Sequence, residues 1–270
     1  MTIAQQRRIV KGNEPLVLDD PQTIWVVKSG SLVLHGILVD NEELKGNRRF
    51  LFNVGAGEAL FGTSLAPSAR KGERRGILAV ALEETELQEL LLEDLIEQVK
   101  DRNAEAIALL EGWLGHLGEW LNEQFIAADA PTNSILAEGT HYLSLQKEQT
   151  LVPPRPSLSN GKVGQRVAWV EVHQGKTRWQ GIKDLKLDNT SPPLPLVSGT
   201  WLEAENPVEV YTTPTQELEK IEQIPASLAQ LHAYFFYYFN LLEQQHIESE
   251  FRRFQERQEF NRRTIESSMG

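Results

Sequence analysis

The first third of the chain alternates short apolar runs with turn residues. Asp, Asn, Gly and Pro residues separate the runs, which recur at roughly 8 to 12 residue spacing. Several short strands at this spacing are typical of a β-sandwich or barrel. We therefore predict a first β-barrel over residues 1–92. Its apolar runs are residues 16–18, 24–27, 31–34, 50–52 and 77–80.

The apolar spacing becomes helical after residue 92. No proline occurs from residue 93 to 128, and apolar residues recur at intervals of three and four, which is the period of an amphipathic helix. Trp113 and Trp120 lie one heptad apart beside this stripe. We predict a helical spacer over residues 93–135. The residues of the stripe are Ile107, Leu110, Leu114, Leu117 and Leu121.

Three glycines interrupt the predicted spacer helix, at Gly112, Gly115 and Gly118. Each glycine costs a helix about 1 kcal/mol relative to alanine. The three glycines therefore weaken the helix. The alternative is that their lack of a side chain allows close helix packing.

A second strand-rich region follows at residues 136–215, which we predict to be a second, degenerate barrel. Residues 24–30 and 168–175 share a pattern in which Trp-Val opens a strand that ends at a glycine turn. The shared pattern indicates a weak internal duplication. The alternative is that two unrelated small barrels look alike because turn chemistry recurs.

We predict that residues 216–270 form a helical tail. The tail contains six consecutive aromatic residues at 234–239. On a helix such a run covers every face, so more than one neighbour should bury it.

A basic amphipathic stretch that contains Arg252 and Arg253 follows the aromatic run. One interpretation is a helix that lies on a membrane surface or on a partner. The other is an ordinary helix that packs Phe251 and Phe254 onto the second barrel. The sequence favours neither interpretation.

The composition limits the classes of function. A net charge of −11 argues against a general nucleic-acid binder, which needs a basic face. The chain has no cysteine, which excludes disulfides and thiolate chemistry and suits a bacterial cytoplasm. No apolar run approaches the roughly 18 residues that span a membrane, and residues 1–12 lack a signal-peptide core. We therefore expect a cytoplasmic protein.

One stretch of the first predicted barrel looks like the phosphate cassette of a cyclic-nucleotide-binding domain. In that family an acid after a Phe-Gly pair holds the ribose, and a later arginine neutralises the cyclic phosphate. Backbone amides at a short helix start complete the site, as in other anion sites. Here threonine replaces the acid, and Arg75 takes the place of the arginine. The candidate ligand-binding residues are Gly57, Glu58, Phe61, Gly62, Thr63, Arg74 and Arg75.

The sequence pattern of the predicted cassette matches the family's site, but one of its ligand-binding groups is missing. Threonine supplies no charged acceptor for a ribose. The loop at residues 70–75 is basic on an acidic protein. It is either a site for an anionic group or acidic partner, or a solvated hairpin, since exposed connections are rich in charge and glycine.

The sequence contains no pattern that indicates another catalytic site or a metal site. A cupin metal site needs clustered imidazoles, whereas the six histidines are scattered. The chain has neither a Gly-x-Ser-x-Gly elbow nor a Gly-x-x-x-x-Gly-Lys-Ser/Thr loop. We therefore expect no catalytic residue, no metal and no cofactor.

Taken together, these segments resemble the region that precedes the membrane domain in the ATP-binding transporters of nitrile-hydratase-leader-type bacteriocin systems. The resemblance implies two cyclic-nucleotide-binding-like jelly-roll barrels joined by a helical segment. It also implies a tail that leads toward a membrane domain and a role in the export of modified peptides. The ATPase motifs of such transporters are absent from this chain, so ATP hydrolysis is not implied. The resemblance rests on residues 18–21, 24–27, 30, 50–52, 57–62, 167–170, 175, 195–196 and 200–202.

We accordingly expect a non-catalytic regulatory or cargo-recognition module of a peptide exporter. Its partners would be a cargo or leader peptide and the rest of the transporter, with membrane contact only through the transporter or the tail. Candidate contact residues for a partner are Trp113, Trp120, Arg252 and Arg253. A homodimer through the stripe from Leu110 to Leu121 is left open. The alternative function is a sensor that binds a cyclic nucleotide or another small anion at Arg75.

Overall fold

The first barrel is built from antiparallel strands that alternate between two sheets. The computed structural model describes residues 7–40, 43–68, 72–124, 134–154, 158–159, 162–163 and 167–268. The strands of the first barrel are β1 (Arg7–Val10), β2 (Leu16–Val17), β3 (Thr23–Ser29), β4 (Ser31–Asp40), β5 (Glu43–Gly55), β6 (Ala59–Phe61), β7 (Ala66–Pro67), β8 (Arg74–Ala81) and β9 (Thr85–Leu91).

The strand order of these two sheets is that of a jelly roll. One sheet has the order β1-β9-β3-β6 and the other has β2-β8-β4-β5, while the short β7 pairs with β8. If β7 is left out, the strands number one to eight with orders 1-8-3-6 and 2-7-4-5. Two interlocked Greek keys of this kind close a double sheet around one core.

Two helices connect the barrels. They are α1 (Leu92–Lys100) and α2 (Ala104–Gln124). The predicted apolar stripe faces the core, since Leu110, Leu114, Leu117 and Leu121 are each at most 1% exposed. The chain itself covers this stripe, so it leaves no face for the dimer seam that the sequence suggested.

The second strand-rich region repeats the jelly-roll order. Its sheets are β11-β20-β15-β18 and β10-β12-β19-β16-β17, and β13 pairs with β14 as a separate hairpin. Counted from β11 without that hairpin, the eight strands again have the orders 1-8-3-6 and 2-7-4-5, with β10 added at one edge. The strands are β10 (Ser134–Leu136), β11 (His141–Leu145), β12 (Thr150–Val152), β13 (Leu158–Ser159), β14 (Lys162–Val163), β15 (Ala168–Gln174), β16 (Thr177–Trp179), β17 (Lys186–Leu187), β18 (Leu194–Leu196), β19 (Leu202–Ala204) and β20 (Val208–Pro214).

The repeated Trp-Val pattern falls on equivalent strands of the two barrels. Trp25 lies on β3 and Trp169 on β15, each the third strand of its barrel. The glycines that follow, Gly30 and Gly175, have φ angles of 84° and 87°, a left-handed conformation that favours glycine. The predicted fold class is therefore confirmed: a mainly β chain with two jelly-roll barrels joined by helices. The exact residue limits of the domains stay a prediction.

The tail forms a 3₁₀ turn and one long helix. The turn is Thr215–Lys220, and α3 (Ile224–Ser268) has 45 residues, about 68 Å at 1.5 Å per residue. Phe235, Phe236 and Phe239 are each at most 2% exposed.

The aromatic run of α3 is covered from several directions. Phe239 stacks on Trp120 of α2 with ring centroids 5.5 Å apart. Tyr234 contacts Trp179 of the second barrel at 5.6 Å, and its hydroxyl donates to the Lys186 carbonyl at 2.7 Å. The prediction that more than one neighbour buries this run is confirmed.

The later part of α3 leaves apolar side chains exposed. Phe251 and Phe254 are 60% and 58% exposed, and Ile247 is 55% exposed. The interpretation that Phe251 and Phe254 pack onto the second barrel is therefore wrong.

Within the described residues, no helix is both long and apolar enough to cross a membrane.

We predict opposite effects for two glycines of α2. A Cβ at Gly118 would overlap the Ser198 carbonyl and lie 2.6 Å from Val197 Cγ2, whereas a Cβ at Gly115 meets nothing within 4 Å. Gly118→Ala should lower the free energy of unfolding by about 1–3 kcal/mol through overpacking. Gly115→Ala should raise it by up to about 1 kcal/mol. Denaturant unfolding checks both, and equal effects of the two changes would contradict the close approach of α2 to the second barrel.

Candidate functional site

The turn that opens the predicted cassette is used to hold α2. The Glu58 carboxylate accepts a hydrogen bond from the Gly55 amide at 2.6 Å, and its other oxygen lies 2.9 Å from His116 Nε2. The His116 ring stacks on Phe52 with centroids 4.9 Å apart. The Gly57 amide donates to the Val27 carbonyl at 2.8 Å. This turn therefore joins β5, β3 and α2 within the chain.

The segment after Phe61 offers no open amide cradle. The Gly62 amide donates to the Thr23 carbonyl at 3.0 Å, and the Thr63 amide donates to the Leu18 carbonyl at 3.0 Å. The buried Thr63 hydroxyl also contacts the Leu18 carbonyl, at 3.2 Å. Residues 62–65 are not helical. The short helix start expected from the cassette is therefore absent here, because these two amides are already bonded within the barrel.

Arg75 is buried and contacts α3. Alternation along β8 places Arg75 on the opposite side from Arg74, which is exposed, and Arg75 is only 4% exposed. Its Nε donates to Asn240 Oδ1 at 2.8 Å, and its Nη2 donates to the Glu243 carboxylate. The cation expected to face a phosphate is thus neutralised by a carboxylate of the same chain. Arg70 and Lys71 of the basic loop lie outside the described residues.

Phe239 covers the sheet beside Arg75. The Arg75 guanidinium lies 5.0 Å from the Phe239 ring centroid, within cation–π range. Gly36 pairs with Ile77 across β4 and β8, and a Cβ at Gly36 would lie 2.5 Å from Phe239 Cζ. Because Ile77 belongs to the core, Phe239 packs on the core face of this sheet. We call Arg75, Phe239, Asn240 and Glu243 the Arg75 cluster.

The two candidate tryptophans of α2 are core residues. Trp113 is 1% exposed and Trp120 is 3% exposed. The Trp113 indole stacks on Phe61 at 5.6 Å, and the Trp120 indole donates to the Phe50 carbonyl at 3.3 Å. Neither side chain lines an open groove as the sequence analysis expected. The aromatic run of α3 covers Trp120, whereas Trp113 packs between Phe61 of the first barrel and His232 of α3.

The two candidate arginines of the tail are exposed. Arg252 and Arg253 lie on α3 beyond the part that contacts the barrels. They share this exposed stretch with Phe251 and Phe254. The structure therefore keeps these arginines far along the helix from the Arg75 cluster, and the candidate residues do not form one site.

His232 is a buried polar residue that the sequence analysis did not single out. Its Nε2 accepts a hydrogen bond from the Trp113 indole at 3.0 Å, and the side chain is 7% exposed. Burial lowers the pKa of His232 to about 4, so the imidazole is neutral at pH 7. The available signal was its helical spacing: His232 precedes Phe235 and Phe236 by three and four residues, which places it on the buried face.

Comparison with solved structures finds partial matches. The Thermus thermophilus catabolite activator protein matches over 41% of this chain and 48% of its own, with 29% identity and a TM-score of 0.29. The reduced Fe(II) CO-sensing protein from R. rubrum matches over 42% and 47%, with 16% identity and a TM-score of 0.30. The cAMP-bound PfPKA-R (141–441) matches over 90% and 81%, with 12% identity and a TM-score of 0.27. No protein-family model and no curated protein matches the chain.

The first two matches span about half the length of those proteins. All three TM-scores are low, so the fold assignment stands on the strand order of the two barrels. The comparisons give the exporter resemblance no support, and that role is therefore kept as a proposal.

We predict that His232 makes stability depend on pH. An unfolded histidine titrates near pH 6.5, whereas His232 in the folded chain titrates near 4. Between these values the unfolded state binds a proton that the folded state does not. The free energy of unfolding therefore falls as the pH falls from about 6.5 toward 4, by at most about 1.4 kcal/mol per pH unit.

Denaturant unfolding of the wild type and of His232→Gln between pH 7 and pH 5 checks this dependence. Glutamine does not titrate and can still accept from Trp113, so its pH slope should be shallower. His246→Gln is the matched control, because His246 is exposed on the same helix. Equal slopes for His232→Gln and the wild type would contradict the buried neutral imidazole.

Proposed function

We propose that this chain is a non-catalytic regulatory module with cyclic-nucleotide-binding-like barrels, in which α3 replaces the nucleotide in the first barrel. The observation that carries the proposal is the Arg75 cluster. The arginine at the phosphate position is buried, ion-paired with Glu243, hydrogen-bonded to Asn240 and covered by Phe239.

Electrostatics explains why a cyclic nucleotide is disfavoured. A phosphate that bound Arg75 would have to displace the Glu243 carboxylate, and it would meet repulsion from that carboxylate if both stayed. The position that would hold a ribose is Thr63, whose hydroxyl contacts the Leu18 carbonyl. Neither group needed for a nucleotide is therefore free in the first barrel.

The regulatory part of the proposal rests on the reach of α3. One helix contacts the first barrel through Arg75 and the second barrel through Tyr234 and Tyr237, whose hydroxyl donates to Asp184 at 2.8 Å. The same helix then continues into an exposed stretch with Phe251 and Phe254. Release of α3 from the first barrel would change the orientation of this stretch. This change of orientation is the signal that the module would pass to a partner.

The resemblance to peptide exporters suggests which partner binds the exposed stretch of α3. We propose that the exposed stretch of α3 receives a leader peptide or the remainder of a transporter. Its apolar residues lie at intervals of four and three, Ile247, Phe251 and Phe254, with Arg252 and Arg253 beside them. An amphipathic helical peptide with acidic residues matches this pattern, since apolar side chains at these intervals form one face.

The alternative function is a small-anion sensor at Arg75. The favouring observation is that Arg75 is held by a carboxylate on a separate element, and a stronger anion can replace a carboxylate at a guanidinium. In this alternative the anion displaces Glu243 and releases α3.

We predict that cyclic AMP and cyclic GMP do not bind the wild type. Calorimetric titration at millimolar nucleotide should give no saturable heat, because Glu243 already neutralises Arg75. Arg75→Ala and Arg74→Ala form a matched pair on one strand, since Arg75 bonds to α3 and Arg74 is exposed. Saturable nucleotide binding that Arg75→Ala abolishes and Arg74→Ala retains would overturn the proposal in favour of the sensor.

We predict that the exposed stretch of α3 binds a leader peptide of the nitrile-hydratase-like type. Anisotropy of a labelled peptide should report saturable binding, and Phe251→Ala with Phe254→Ala should weaken it by at least about tenfold, or 1.4 kcal/mol. Leu82→Ala is the control, since Leu82 is 64% exposed on the first barrel. Binding that the double change leaves intact would rule out this surface, and no binding would rule out the peptide role.

A further inference from the structure

A groove lies between the first barrel and the start of α3. It has a volume of about 310 Å³, which is at the lower end of the range for small-molecule sites. One wall is the segment that follows the predicted cassette, and the other is the first three turns of α3. The main lining residues are Phe61, Leu65, Leu228, Ala229, His232 and Phe236.

Among the residues that the structure describes, no charged side chain lines the groove. None of its lining residues is Asp, Glu, Lys or Arg, on a protein in which 24% of residues are charged. Its polar side chains are Gln22, Ser64 and His232. An ion that entered would lose water without gaining a counter-charge, which is costly. The groove therefore suits an uncharged and mainly apolar molecule.

His232 supplies one hydrogen-bond donor to this apolar site. The Trp113 indole donates to Nε2, and a neutral imidazole with Nε2 as acceptor carries its proton on Nδ1. Within the part of the chain that the structure describes, Nδ1 has no hydrogen-bond partner. A donor on a side chain that is 7% exposed gains most from a ligand that supplies an acceptor.

We propose that this groove binds a small uncharged molecule, mainly apolar, with one hydrogen-bond acceptor that receives the Nδ1 proton of His232. The molecule contacts both the barrel and α3, so it binds the docked helix and stabilises it. The proposal rests on the regulatory role of docked α3. It does not depend on the exporter partner.

Three probes of similar size test the chemistry of the groove. Acetophenone is uncharged with a carbonyl acceptor, ethylbenzene lacks the acceptor, and benzoate carries a charge. Binding to the full chain is measured by ligand-observed NMR titration. We expect acetophenone to bind about fivefold to tenfold more tightly than ethylbenzene, the effect of one hydrogen bond, and benzoate to bind more weakly than both.

A matched pair of variants on α3 locates the site. Ala229 lines the groove and Ala226 does not, and both are exposed on the first turns of the helix. Ala229→Phe should fill the groove and abolish acetophenone binding, whereas Ala226→Phe should leave it unchanged. Circular dichroism confirms that each variant is folded. His232→Met is a further variant, in which acetophenone and ethylbenzene should bind equally.

Four results would overturn the proposal. They are no binding of any probe to the wild type, equal binding of acetophenone and ethylbenzene to the wild type, preference for benzoate, and binding that survives Ala229→Phe. These results are distinct from failure of the proposed function, which is measured by nucleotide binding at Arg75. The same probe titration on Leu82→Ala should still show acetophenone binding, because Leu82 is exposed on the first barrel and does not line the groove.

Discussion

The run of six consecutive aromatic residues on α3, five of them buried and Tyr237 partly buried, constrains the packing of the described residues. A helix carries such a run on every face, so no single surface can cover it. The first barrel, α2 and the second barrel each cover part of it, through Phe239, Trp120 and Trp179. Each aromatic side chain that leaves water contributes about 1.5–3 kcal/mol. Both barrels therefore pack on α3.

Burial of Arg75 follows from the same arrangement. An arginine stays charged in proteins, so a buried one needs a compensating acceptor. Asn240, which directly follows Phe239, and Glu243, one turn after Phe239, supply it where α3 contacts β8. Arg75, which the sequence analysis expected to face a phosphate, is thus neutralised within the chain. Among the described residues, the groove between the first barrel and α3 has no charged lining residue, and its polar side chains are Gln22, Ser64 and His232.

Local pattern predicted most of the fold. The short apolar runs indicated barrels, the spacing of Leu110, Leu114 and Leu117 indicated a core-facing helix, and the aromatic run indicated several neighbours. The surroundings of the predicted cassette differ from those expected, because its amides and Arg75 are bonded within the chain. The partners of Arg75 lie 165 and 168 residues away, and no local pattern reports contacts at that separation. The contacts of Glu58 with His116 and of Trp113 with His232 also join residues that are far apart in the sequence, so local pattern does not predict them.

The central claim is that Arg75 holds α3 against the first barrel through Glu243. A double-mutant cycle with Arg75→Ala, Glu243→Ala and the double variant measures this interaction most directly. The account predicts a coupling of about 1–3 kcal/mol in the free energy of unfolding, as expected for charged residues in contact. Additive effects, with coupling near zero, would contradict it.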